Sequence, residues 1–260
     1  MIIKYIVVGA LALTMLSGCS DNSKSNTTTT HKVDQSAPSA DVAKNVMQVG
    51  KDYHSFGNPE SIKVTHLTLD LTVDFTKKVL VGTAQLDFQR VDANATQLIL
   101  DTRDLTIKGV TSKGKAVNFD LASADSFLGA ALTIDIPADI DSVVIDYQTS
   151  PEASGVQWLT PEQTAGKKHP FLFTQAQAIH ARSFIPLQDS PQVRMTYKAT
   201  IRTPKALLAV MSASNDPDTE RDGVYEFSMP QPIPSYLIAL AVGDLHFKSM
   251  GKRTGVYSEK

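Results

Sequence analysis

The chain has 260 residues, 25 basic against 27 acidic side chains for a formal net charge of −2, and 42% hydrophobic content. That length and apolar share suffice for a sizeable core, while the interspersed charge, with no basic field and no interleaving of aromatic with basic residues, excludes a nucleic-acid partner. A single cysteine, Cys19, excludes an intrachain disulfide.

At the amino terminus, Lys4 precedes an apolar run from Tyr5 to Leu16 that is too short to span a bilayer and has the size of a secretory h-region. Leu16-Ser17-Gly18-Cys19 then resembles a bacterial lipobox, so residues 1–18 are read as a lipoprotein signal peptide and Cys19 as the lipidated residue. Two or more acyl chains hold a protein stably on a membrane. Ser20, where an aspartate would signal retention, resembles the outer-membrane sorting pattern. The expected location is therefore the cell envelope, lipid-anchored and facing the periplasm, with the outer membrane favoured. From Ser20 to about Asn45 the composition shifts to Ser, Thr, Asn, Asp and Lys, including the tract Thr27 to Thr30. Residues 19–50 are accordingly read as the lipidated cysteine and a flexible tether; roughly 25 such residues reach about 25 to 30 Å.

Residues 51–248 read as one all-β domain. In His66 to Phe75, apolar Leu67, Leu69, Leu71, Val73 and Phe75 alternate strictly with polar residues, which gives an extended strand one dry and one wet face. Thr76 to Lys78 turns the chain, and Val79 to Phe88 returns as the second arm of a hairpin, with Gly82 expected at a bulge or a close contact. Short β-rich runs come next at 97–100, 105–110, 132–136 and 143–147, separated by Asp, Gly, Ser and Pro punctuation. Val193 to Arg202 repeats the clean alternation of the first strand. Runs at 207–211, 224–228 and 237–242 complete the set, and only brief turns, near 122–127 and 235–238, have helical spacing. Short connections predict hairpins and mostly antiparallel pairing.

Several chemistries have no foothold. A gluzincin needs H-E-x-x-H, two histidines one helical turn apart around a glutamate, and the six histidines here include no two at that spacing. A G-x-M-E-N loop and a G-x-S-x-G nucleophile elbow are absent as well. Neither a catalytic nor a metal-ligating residue is assigned.

One segment carries more information than the rest. Residues 157–191, QWLTPEQTAGKKHPFLFTQAQAIHARSFIPLQDSP, together with Asp101 to Ile107 and Pro232 to Gly243, resemble the amino-terminal β domain of the family M1 zinc aminopeptidases, in the leukotriene A4 hydrolase-like branch. The resemblance implies a saddle-shaped, mostly antiparallel multi-sheet domain. It also implies that Gln175 and Gln177, two residues apart and so on one side of an extended segment, bind the substrate. Gln177 stands where many relatives use a glutamate for the peptide's α-ammonium, and an amide can accept that hydrogen bond without the full charge. Arg182 and Asp189, near Pro186 and Pro191, resemble a family pattern expected to form an ion pair and a rigid turn, worth about 0 to 1 kcal/mol if paired at the surface. Trp158 is expected to pack rather than to stack on a ligand.

Residues 249–260 resemble the strand that links this domain to a catalytic one. Zinc is expected in the full-length family enzyme and none in this chain. The implied partners are a peptide at the Gln175 and Gln177 loop, a catalytic zinc domain not present here, and a membrane. Two readings remain: the substrate-binding domain of a periplasmic lipoprotein aminopeptidase, truncated and inactive alone, or a complete non-catalytic module that binds peptides.

Overall fold

The computed structural model describes residues 51–259; the expected signal peptide, 1–18, and the expected lipidated Cys19 and tether, 19–50, lie outside them. The described residues belong to a single compact unit built from four sheets. The largest has seven strands in the spatial order β13 (Val224–Pro234), β11 (Arg194–Arg202), β1 (Ile62–Asp74), β2 (Val79–Arg90), β8 (Ser142–Gln148), β4 (Thr106–Ser112) and β5 (Lys115–Ala116). A four-stranded sheet runs β12 (Leu208–Met211), β14 (Leu240–Gly243), β10 (Phe171–Thr174) and β9 (Val156–Leu159). A third contains β3 (Gln97–Thr102), β7 (Ala130–Asp135) and β6 (Phe119–Leu121), and β15 (His246–Gly251) forms a two-stranded sheet with β16 (Thr254–Ser258).

The alternation seen in the sequence becomes the core. Leu67, Leu69, Leu71 and Val73 of β1 are buried, and their neighbours Leu86 and Ala84 on β2 and Tyr197, Ala199 and Ile201 on β11 are buried with them. Each buried Leu, Ile or Val among them contributes about 1.5 to 3 kcal/mol on leaving water. Between β1 and β2 the Asp74 carboxylate accepts the Thr76 and Lys77 amides at 3.0 and 2.9 Å, which pins the turn and holds that carboxyl below its usual range. Gly82 lies inside a regular stretch of the ladder, opposite Leu71. It is a close contact rather than a bulge: its φ is +152° and a Cβ there would stand 1.9 Å from the Asp70 carbonyl oxygen. Among the described strands all pairings are antiparallel except β1 with β11, which run parallel.

Strand β1 slips register against β2 between Val64 and His66, and ahead of its first pairing with β11, at His66, a buried side chain takes the place of a strand neighbour. Gln188 accepts the Val64 amide on Oε1 at 3.1 Å and donates from Nε2 to the Ile62 carbonyl at 2.8 Å, so its amide completes the ladder as a peptide group would. Trp158 packs as expected, edge-on to Phe75 with ring centroids 5.5 Å apart. Among the described residues no helix is long and apolar enough to cross a membrane.

Candidate functional site

Strand β10 delivers the chain to the glutamine loop and stops one residue short of it, at Thr174. The Thr174 hydroxyl accepts the Leu240 amide of β14 at 2.9 Å, and the Gln175 amide donates to the Gly155 carbonyl, also at 2.9 Å. The path then tightens instead of staying extended. Gln177 donates its amide to Gln175 Oε1 at 3.3 Å, the Gln177–Ala178 peptide is cis, and the His180 amide closes a turn on the Ala176 carbonyl at 2.8 Å. Ala176 is buried while Gln175 and Gln177 are exposed, so the loop turns its small residue inward and both amide side chains toward solvent. The structure thus brings Gln175 and Gln177 together on an exposed loop, with one Gln175 lone pair already occupied by the backbone.

Beyond the loop, the chain is buried without interruption from Ala181 to Ser190, and Arg182 is the centre of this segment. Its guanidinium has five donors. Nε donates to Asp189 Oδ2 at 3.0 Å, Nη1 to the Leu128 carbonyl at 2.8 Å, and Nη2 to the His54 and Asp189 carbonyls at 2.7 and 3.1 Å. Nη1 also lies 3.7 Å from Asp101 Oδ1. Asp101 accepts further bonds from the Ser55 hydroxyl and from the amides of Phe56 and Asp189, and the other oxygen of Asp189 accepts the Ser235 hydroxyl at 2.6 Å. Burial pushes the Asp101 carboxyl above its usual range, against the opposing pull of Arg182 and these donors.

The expected pair of Arg182 and Asp189 therefore exists, but not at the surface. Both side chains are fully buried with Asp101 as a third member, so the modest value of an exposed pair does not describe it. The node joins three stretches that stand out in the sequence, those of Asp101, of residues 175–190 and of Ser235. Tyr147 of β8 adds a tie by donating its hydroxyl to the Phe184 carbonyl at 2.9 Å, and full burial holds that phenol well above its usual range. With the Asp101 and Leu187 bridge to β3, residues 175–190 connect the three larger sheets.

A smaller cluster flanks the loop and is not evident in the sequence. Arg103, Ser154 and His180 meet beside it, with Ser154 Oγ 2.9 Å from His180 Nδ1 and Arg103 Nη1 3.4 Å from both. These residues lie 26 to 77 positions apart, and none sits in a spacing that marks chemistry.

Residues 58–237, which hold the loop and the Asp101, Arg182, Asp189 and Ser235 side chains of the node, match the profile of the Peptidase M1 N-terminal domain. The chain belongs to that family. Leukotriene A-4 hydrolase of Xenopus laevis is 43% identical over 219 residues, which cover 80% of this chain and 36% of that protein. Leucine aminopeptidase 2 of Yarrowia lipolytica is 40% identical over 215 residues, 80% of this chain and 32% of its own. The native yeast LTA4 hydrolase structure superposes with a TM-score of 0.76 at 32% identity, covering 85% of this chain and 35% of that one. An M1 zinc metallopeptidase from Deinococcus radiodurans, at 20% identity and a TM-score of 0.59, shares the fold. The chain spans about a third of the length of the curated relatives it matches.

The described residues of this M1 N-terminal domain offer no fit for the zinc of its metallopeptidase relatives. Among the described residues no three His, Cys, Asp or Glu side chains are arranged to hold a metal. Two of the described histidines sit in local contacts: His66 Nδ1 lies 2.6 Å from Thr196 Oγ1 across β1 and β11, and His246 Nε2 lies 3.3 Å from Asp244. No step through zinc is derived from them.

Proposed function

We propose that this chain is the substrate-binding amino-terminal domain of a periplasmic lipoprotein aminopeptidase, a zinc enzyme that removes amino-terminal residues from peptides, and that the chain does not turn over peptides by itself. The observation that carries the reading is the glutamine loop: two exposed amide side chains, Gln175 and Gln177, held between β10 and a fully buried ion-paired segment. Such a loop presents fixed acceptors and donors to a peptide terminus at little entropic cost, because its stem is already ordered. The family membership and the likeness to aminopeptidases supply the substrate class. Phe173, on the strand that leads into the loop, remains 37% exposed, which suits a face that packs against a further domain. The parent enzyme would supply the metal and the general base, and Cys19 the lipid anchor.

Titration of the chain with a short peptide tests the loop. Binding that disappears in the Gln175→Ala, Gln177→Ala double variant supports the proposal. Equal binding by both proteins, or chelator-sensitive hydrolysis of leucine or arginine arylamides by the chain alone in the presence of zinc, sinks it.

A further inference from the structure

The turn that ends the glutamine loop is stapled to a neighbouring turn by Arg103, Ser154 and His180. A guanidinium has donors and no acceptor, so the Arg103 Nη1 contact to His180 Nδ1 requires a lone pair on that nitrogen. The tautomer that meets this contact carries its ring proton on Nε2. Ser154 Oγ accepts from the same Arg103 nitrogen and turns its own hydrogen toward Nδ1, so two donors converge on one ring nitrogen. The backbone repeats the connection. His180 closes the loop by its amide on Ala176 and receives the Ser183 hydroxyl on its carbonyl, while Gly155, next to Ser154, accepts the Gln175 amide and donates its own to Ser183 Oγ at 2.8 Å. The imidazole thus spans the two chain segments whose separation sets the position of Gln175 and Gln177.

We infer that Arg103, Ser154 and His180 are positioning residues for the Gln175 and Gln177 loop, acting through a neutral His180 with its proton on Nε2. The inference rests on the peptide-binding reading of the loop for its purpose, but its first readout needs no peptide. In the full 260-residue chain labelled with nitrogen-15 in glutamine and histidine, the wild-type His180 ring should show a pyridine-type Nδ1. His180→Ala should move the Gln175 and Gln177 amide resonances and weaken tripeptide binding about three- to tenfold, the worth of one net hydrogen bond. His180→Asn places an acceptor oxygen where Nδ1 stood and should restore both properties. His180→Gln reaches the Nε2 position instead and should not.

A protonated Nδ1 in the wild type overturns the inference. So does an Asn variant that behaves like the Ala variant, or unmoved glutamine amides in a folded Ala variant. If the Ala variant does not fold, the wild-type tautomer and the contrast between Asn and Gln still decide. Failure of every protein to bind peptide would remove the proposed function of the loop while the amide shifts judged the staple by themselves.

Discussion

Truncating Arg182 would leave two carboxylates, Asp101 and Asp189, fully buried without their cation. Breaking one partner of a buried pair typically costs about 3 to 5 kcal/mol, far more than an exposed pair such as Arg202 with Asp70 contributes. Arg182→Ala should therefore lower stability by about that amount in urea unfolding, and a loss below about 1 kcal/mol would show that the node is not what holds this region. Part of the node was legible: Arg182, Pro186 and Asp189 stand in one short pattern, and their pairing comes from it. The membership of Asp101 was not, since nothing in the local composition around it reports a cation on a distant segment. Burial was hidden for the same reason, because full desolvation comes from the sheets that close over the node and not from its immediate neighbours.

Among elements, the long strands announce themselves, and so do the short β3, β4, β7, β8, β12 and β14, while β9 and β10 do not. In β1, β2 and β11, alternation over nine or more residues reflects one buried face. Strands β9 and β10, four residues each, are too short to show a period, and the second partner of β10, β14, lies far along the chain. The parallel match of β1 with β11 was equally invisible, since a period of two fixes the face of a strand and says nothing of its neighbour. The glutamine loop was located from its motif, but its tight turn was not, because Ala176, Ala178 and Ile179 carry no turn signal. Close approach sets the geometry here. A Cβ on Gly155 would meet the His180 carbonyl oxygen at 2.6 Å and Ser183 Oγ at 2.8 Å. Gly155→Ala should cost about 1 to 3 kcal/mol through this overpacking and weaken peptide binding with it. Gly109→Ala, with open space around its would-be Cβ, is the control for a strand glycine. Thermal unfolding and peptide titration of the two variants should separate; equal behaviour would contradict the crowding.

For the whole molecule, the proposed arrangement is a β domain held at a membrane by Cys19. Replacement Cys19→Ala should release the protein from the membrane fraction and abolish incorporation of a labelled fatty acid, both followed in cells of a double-membrane bacterium. Retention of membrane association with no acyl label would point to another anchor. The organisation of the domain also bears on how it forms. The Arg182 node draws on His54, Asp101, Leu128, Asp189 and Ser235, positions spread over most of the folded region. Contacts of such separation must meet their loop-closure entropy before they return any stability. A nascent chain cannot complete this arrangement until Ser235 has left the ribosome, so the amino-terminal hairpin, made early and flanked by β8 and then β11 as they follow, stands in its sheet before the node that ties the sheets together can close.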